Sequence, residues 1–255
     1  QPRKSMIIYA SDIVETEIEE EIPDYPVNLF FTKEGYFKKI TPISLRMGGE
    51  QKLKDGDVIQ QSQESMNNTD LLFFSDKSQV YKTKARDFSD TKASVLGEFI
   101  PAKLNMDEGE SAIYMLATTD YSGYVFFFFE NGKVAKVSLK AYETKTNRKK
   151  LTGAYSDKEK LSAIVFVNDE DSEILMRSSS GRALLLHTGA IASKTTRNTQ
   201  GVAVFKQRKG HRLISAELYH EGMLQTPQRY RTKSIPSSGA LPTAEELEGE
   251  QLELK

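Results

Sequence analysis

The 255-residue chain contains no cysteine and no tryptophan, and only three histidines. Without cysteine there is no disulfide and no thiolate metal site, which fits a reducing compartment. His187, His211 and His220 lack the His/Glu/His spacing of a metal centre. No apolar run approaches the roughly 20 residues needed to span a bilayer. The longest, Tyr124 to Phe129, is strand-sized. No secretory signal peptide is read at the start. The chain opens on Gln1 and its first residues read as the middle of something, so a piece of a larger protein is expected. Catalytic signatures are missing as well. Gly48-Gly49 and Gly56 are not followed by the GK[ST] ending of a phosphate loop, and there is no G-x-S-x-G elbow. The carboxylate clusters Asp55 with Asp57, and Asp169-Glu170-Asp171, lie in turn-like segments, where acids serve turn chemistry. A non-catalytic chain without metal or cofactor is expected.

What the chain does have is a recurring pattern of an apolar strand, a tight polar turn and a basic-flecked strand. It reads Leu29-Phe30-Phe31-Thr32-Lys33-Glu34-Gly35-Tyr36-Phe37-Lys38-Lys39, then Leu72-Phe73-Phe74-Ser75-Asp76-Lys77-Ser78-Gln79-Val80-Tyr81-Lys82. A third copy is Phe126-Phe127-Phe128-Phe129-Glu130-Asn131-Gly132-Lys133-Val134-Ala135-Lys136, and a weaker fourth runs from Leu175 to Leu185. The turn positions Gly35, Ser78, Gly132 and Gly181 lie 43, 54 and 49 residues apart. A period of that size marks a repeat fold with one supersecondary unit per copy. Gly35, Gly132 and Gly181 are expected at positive φ. Between the hairpins sit further strand candidates, Asp57 to Gln60, Ser111 to Ala117, Leu161 to Val167 and Arg212 to Leu218, each led by a polar turn. Three to four strands per unit is the content of a propeller blade. Phe126 to Phe129 would place two rings on each face of its strand, as a strand buried between neighbouring blades requires.

The formal charge of −1 hides an asymmetry. Residues 1–27 carry seven acids against Arg3 and Lys4, and residues 241–255 carry five against Lys255. Removing these 12 acids and 3 bases from totals of 36 and 35 leaves 24 and 32, so the body is basic and the ends are acidic. A basic body is the electrostatic precondition for a polyanion partner. Three regions are expected: an acidic connector or edge strand over 1–27, a blade domain over 28–240, and an acidic, disordered tail over 241–255. Thr243 is a candidate N-cap for a short helix over 243–249. Gln228 to Pro236 reads as a degenerate last hairpin.

Gly35-Tyr36-Phe37-Lys38-Lys39, Ser78-Gln79-Val80-Tyr81-Lys82 and Gly132-Lys133-Val134-Ala135-Lys136 resemble the blade signature of the C-terminal domain shared by the A subunits of DNA gyrase and topoisomerase IV. Arg197-Asn198-Thr199-Gln200-Gly201-Val202 resembles the family's T-x-G-V stretch, and Asp70-Leu71-Leu72-Phe73-Phe74 its second-blade opening. The resemblance runs from about residue 28 to 218. It implies an all-β β-pinwheel, a propeller-like disc of about five four-stranded blades, or six, whose basic rim bends and wraps duplex DNA. The catalytic tyrosine, and the ATPase site with its ATP and Mg²⁺, would lie elsewhere in the holoenzyme, a cytoplasmic enzyme of the bacterial nucleoid. Partners implied are duplex DNA, the catalytic core carried on the same polypeptide, and the separate ATPase subunit, with no membrane. One stretch departs from the family. Its basic box, Q-R-R-G-G-K-G, falls on Leu45-Arg46-Met47-Gly48-Gly49-Glu50-Gln51, where Met47 and Glu50 replace two bases. Weakened wrapping follows.

Lysines repeated at blade edges would line an arc and neutralise phosphates without reading bases. The candidate DNA-binding residues are Lys38, Lys39, Arg46, Lys82, Lys84, Arg86, Lys133, Lys136, Arg148, Lys149, Lys150, Arg182, Arg197, Lys206 and Arg208. The densest cluster is Arg148-Lys149-Lys150. The acidic tail would compete with DNA for the rim, or else serve as a solubilising terminus. The alternatives are a protein-interaction propeller of the WD40 or kelch type, whose Trp-Asp or double-Gly signatures are missing, and an enzyme domain on a propeller.

Overall fold

The structure, a computed structural model, describes residues 22–145 and 148–247. The acidic connector up to residue 21 and the tail from residue 248 lie outside the described residues. Strand follows strand: β1 (Pro26–Thr32), β2 (Tyr36–Ile40), β3 (Ile59–Met66), β4 (Asp70–Ser75), β5 (Gln79–Lys84), β6 (Glu98–Phe99), β7 (Ala112–Thr118) and β8 (Tyr124–Phe129). There follow β9 (Lys133–Ser138), β10 (Lys150–Thr152), β11 (Leu161–Val167), β12 (Glu173–Ser178), β13 (Ala183–His187), β14 (Val202–Ala203) and β15 (Leu213–Leu218). They form four antiparallel sheets, ordered β3-β1-β2-β6, β10-β5-β4-β7, β11-β8-β9-β14 and β13-β12-β15.

Each hairpin carries the repeated motif, and the turn-led strand that follows it pairs back onto its first strand. The fourth strand of each of the first three blades is donated from beyond the next hairpin. Thus β6 pairs with β2, β10 with β5 and β14 with β9. This exchange couples every blade to its successor by backbone hydrogen bonds.

All four repeat turns have their third residue at positive φ: Gly35 at 91°, Ser78 at 57°, Gly132 at 83° and Gly181 at 79°. At Ser78 the turn is held by the side-chain hydroxyl, which donates to the Tyr155 carbonyl, and by the Tyr155 hydroxyl, which accepts from the Ser78 amide at 3.2 Å.

The four phenylalanines of β8 divide as strand alternation requires. Phe127 and Phe129 enter a core with Leu72, Phe74, Val80 and Leu116 of the second blade. Phe126 and Phe128 enter a core with Ile174, Met176, Leu184 and Leu186 of the fourth. Fully burying each ring contributes roughly 1.5–3 kcal/mol. A third core joins Val27, Leu29, Phe31 and Phe37 of the first blade to Leu71 and Phe73 of the second.

Two expectations are corrected. The described residues hold four blades, not five or six, and the fourth sheet has three strands. The stretch Gln228 to Pro236 is not a hairpin: Pro227 starts a helical turn, Pro227–Tyr230, and the chain beyond it meets β13 through isolated backbone bridges at Leu185 and Ala183. A proline cannot donate to a strand ladder and suits the first turn of a helix. This C-terminal strap covers the remaining face of the fourth blade, where Tyr230 packs with Leu175, Ala183 and Leu185. The strap ends in a capped helical turn. The Thr243 hydroxyl accepts from the Glu246 amide at 3.3 Å, and the Glu246 carboxylate accepts from the Thr243 amide at 2.9 Å. Glu246 also accepts from the Tyr230 and Thr226 hydroxyls. Burial works against this carboxylate, but those hydrogen bonds outweigh it and hold its pKa down at about 2. A depressed carboxylate stabilises above its unfolded pKa and ceases to as pH falls through the folded one. Discounted for solvent screening, the contribution is about 1 kcal/mol. A stability gap between the wild type and Glu246→Gln is therefore expected at pH 7 in urea unfolding, and it should close as pH falls toward about 2.

Candidate nucleic-acid interface

The lysine that ends each motif occupies one structural position, four residues past the turn: Lys39, Lys82 and Lys136. These three side chains run inward or along the blade rather than out to solvent. Lys39 donates to Asn67 Oδ1 at 2.7 Å, pairs with Asp90 at 3.2 Å and lies over the Tyr25 ring. Lys82 donates to the Tyr142 carbonyl at 2.9 Å and to Thr144 Oγ1 at 3.0 Å, over Tyr121. Lys136 donates to Glu170 at 2.7 Å and to the Thr188 carbonyl at 3.1 Å, with its ammonium 4.4 Å from the Tyr124 ring centroid. Each clamps its hairpin to a later loop through a cation–π contact and an oxygen partner. In the fourth blade Leu185 takes this position, and the polar clamp is replaced by packing against Tyr230.

Lys38 is also inside, donating to the Lys52 and Ala93 carbonyls at 3.0 and 3.3 Å, and burial pushes its pKa down. Lys38, Lys39 and Lys136 are only 1–2 % exposed, so they do not form a rim. Desolvating an ammonium is tolerated only where oxygens replace its water, which these loops supply. Truncating such a cation strands its partners. For Lys136→Ala, with the Thr188 carbonyl left bare but Glu170 able to reach water, urea unfolding should show a loss of about 2–3 kcal/mol. A rim role would instead lower DNA affinity at unchanged stability.

The other candidates separate by their partners. Lys84 pairs with Asp70 at 2.5 Å and Lys150 with Asp107 at 2.9 Å. Arg182 donates to the Gly239 carbonyl and Arg197 to the Ala141 carbonyl. Lys133 is half-buried. Arg46, Arg86, Arg148, Lys149, Lys206 and Arg208 are exposed.

Topology gathers part of this set into one cleft of about 560 Å³ on the second blade. Lys82 and Lys84 come from β5, Arg86 from the turn after it, and Arg148 and Lys149 from the segment that runs into the donated strand β10. The Lys82 amide donates to the Lys149 carbonyl at 2.8 Å, which fixes the two walls together. Lys103, at the end of the helical turn Ile100–Lys103, completes the basic lining. Nothing in the repeat marks Lys103, because it lies between blade motifs and only the chain exchange brings it here.

The acids of the cleft are occupied. Asp70 pairs with Lys84 and accepts from the Tyr121 hydroxyl at 2.9 Å, Asp87 accepts from Thr83 Oγ1 and the Lys84 amide, and Glu143 pairs with Lys140. Arg86, Arg148 and Lys149 have no ion-pair partner among the described residues. Burial lowers the Lys82 pKa, against the opposing pull of Asp70 and Glu143.

The box-like stretch Leu45 to Gln51 occupies the end of the helix Pro42–Met47 and the loop after it. Arg46 and Glu50 are exposed, and Met47 is 84 % exposed. This surface therefore presents one cation, one anion and a thioether. Among the described residues no helix is long and apolar enough to cross a membrane.

A family model described as "DNA gyrase C-terminal domain, beta-propeller" matches residues 69–94 and 172–219, the hairpins of the second and fourth blades with flanking chain. The DNA gyrase A subunit of Borrelia hermsii is 24% identical over 229 residues, covering 86% of this chain and 28% of the relative. The gyrase A subunit of Mycoplasma genitalium is 27% identical over 260 residues, 93% of this chain and 30% of the relative. The DNA topoisomerase 4 A subunit of Staphylococcus aureus is 24% identical over 235 residues, 88% of this chain and 29% of the relative. The chain thus spans under a third of the length of these relatives. Among solved structures, the C-terminal domain of DNA topoisomerase IV superposes with a TM-score of 0.66 at 23% identity, over 78% of this chain and 62% of that one. The E. coli ParC C-terminal domain superposes with a TM-score of 0.63 at 14% identity, over 86% and 94%. Over most of its length the chain is similar to DNA gyrase and topoisomerase IV A subunits, and its fold is that of their C-terminal domain.

Proposed function

We propose that the chain is the DNA-binding domain of a type IIA topoisomerase A subunit, which binds duplex DNA without reading its sequence, bends it and presents it to the catalytic core. The observation that carries this reading is the cleft of the second blade. There Arg86, Arg148 and Lys149 face solvent beside Lys82, with no ion pair among the described residues. Arg46, Lys206 and Arg208 extend the exposed basic set onto other blades. Duplex DNA carries one charge per roughly 1.7 Å of axis, and its neutralisation releases counterions. Charges spaced along successive blades suit a backbone that curves, and need no base contact. The domain does no covalent chemistry. Strand cleavage and ATP hydrolysis with Mg²⁺ belong to the core and to the ATPase subunit, its partners in a cytoplasmic, nucleoid-bound holoenzyme. With Met47 and Glu50 where the family box has bases, the first blade grips DNA weakly and wrapping is reduced. A WD40- or kelch-type interaction surface has no support from the relatives.

The test is a titration of the chain into a non-specific duplex at low and at raised salt, followed by fluorescence anisotropy. Saturable binding that weakens steeply with salt is expected. No binding at low salt would end the DNA reading.

A further inference from the structure

The cleft of the second blade is concave, whereas the phosphates of a duplex lie on a convex surface. Within one strand they advance about 3.4 Å along the axis per charge. A passing strand can therefore offer this cleft only a phosphate or two. The cleft holds more positive charge than that would use. Among the described residues, the hydrogen-bond partners of Lys82 at its floor are neutral oxygens, the Tyr142 carbonyl and Thr144 Oγ1. Around it stand Arg86, Arg148 and Lys149, without an ion pair among the described residues. Every lining carboxylate is already engaged by Lys84, Tyr121, Thr83 or Lys140. The two rings of the floor are not open for stacking a base: Lys82 lies 5.0 Å from the Tyr121 centroid and Lys150 5.6 Å from that of Tyr81. A site rich in cations, walled by hydroxyls and without a free aromatic face suits a ligand that is all charge and no ring.

We propose that this cleft is a binding site for a compact phosphoanhydride chain, of the length of a triphosphate, either free or as the terminus of a larger molecule. Arg148 and Arg86 would each hold two oxygens of one phosphoryl group through the guanidinium fork, and Lys149 and Lys82 would serve as point charges beneath. Because the same cations would meet DNA in the proposed DNA-binding role, the two ligands would exclude each other at this blade and bind together elsewhere on the rim. The pocket stands on the cleft itself and does not require the DNA role to hold.

The experiment is isothermal titration of the full chain with sodium tripolyphosphate and, in a second arm, with a nucleoside triphosphate, at fixed low ionic strength without divalent cations. One saturable site is expected, weakened at least tenfold in Arg148→Gln/Lys149→Gln and unchanged in the remote pair Lys206→Gln/Arg208→Gln. Tighter binding of tripolyphosphate identifies the free chain as the ligand, and tighter binding of the nucleotide identifies a phosphate terminus. The absence of a saturable site, or equal weakening in both variants, overturns the proposal. Duplex binding measured on the same samples is a separate readout. DNA bound without tripolyphosphate sinks the pocket alone, and tripolyphosphate bound without DNA sinks the DNA reading alone.

Discussion

Replacing Gly132 by alanine is expected to be among the most damaging single changes in the chain. Gly132 is the turn residue of the third hairpin, at a φ of 83°. A left-handed backbone costs a residue with a Cβ about 1–2 kcal/mol. Lack of space costs more. A Cβ built there would sit 1.8 Å from the carbonyl oxygen of Phe205, well inside contact distance and against backbone rather than a movable side-chain tip. The approach is close because the Gly132 carbonyl accepts from the Val204 and Phe205 amides at 3.2 and 3.1 Å, where the chain between the fourth hairpin and β15 crosses back onto the third blade. Phe205 is itself in the core between these blades. The clash must push that crossing away and break both bonds, so a loss of roughly 3–5 kcal/mol is expected, a size reserved for backbone or core failures. Gly56 is the control. It also has a positive φ, of 78°, but its Cβ would meet nothing within 4 Å. Gly56→Ala should cost only about 1 kcal/mol. Similar losses for the two in urea unfolding would show that the interblade crossing is not what Gly132 protects.

Neutralising the cleft should have the largest effect on DNA. In Arg86→Gln/Arg148→Gln/Lys149→Gln, three cations that bear on no internal ion pair among the described residues are removed, so folding should be unaffected to within about 0.5 kcal/mol. Each phosphate contact contributes about 0.9 to the slope of log K against log salt. A passing strand brings the cleft a phosphate or two, so the slope should fall by about 1–2 and affinity at low salt by on the order of 10-fold. Lys136→Ala gives the opposite pattern, with stability lost and the slope kept, because its ammonium is committed to Glu170 and Thr188. A triple variant with the wild-type slope would place the DNA track elsewhere on the blades.

The sequence makes the blades visible because their cause is local. Alternating apolar residues and a turn position needing positive φ recur in each copy, and Phe126 to Phe129 announces a strand buried on both faces. The donated strands are not visible. β6, β10 and β14 are two or three residues long and pair across a whole intervening hairpin, so no local pattern marks them. That gap explains why the motif lysines read as a rim. A lysine in a strand looks solvated until the crossing loops deliver the oxygens that bury it, as Ala93 and Lys52 do for Lys38. The same crossing raises the standing of Arg148 and Lys149, whose cluster is plain in sequence but whose proximity to Arg86 and Lys103 is not. The end of the blade series leaves one trace. At the clamp position Leu185 replaces lysine, the residue expected where the next element is an apolar strap rather than another polar loop.

The central claim, that the basic face of successive blades is a curved track for duplex DNA, is tested most directly by the end-to-end distance of a short duplex carrying a fluorophore at each end, measured by energy transfer with the chain at saturation. The ends are expected to draw together on binding, and to do so less in the Arg86/Arg148/Lys149 triple variant. A duplex that is fully bound, as judged by anisotropy, yet keeps its free end-to-end distance would contradict the claim.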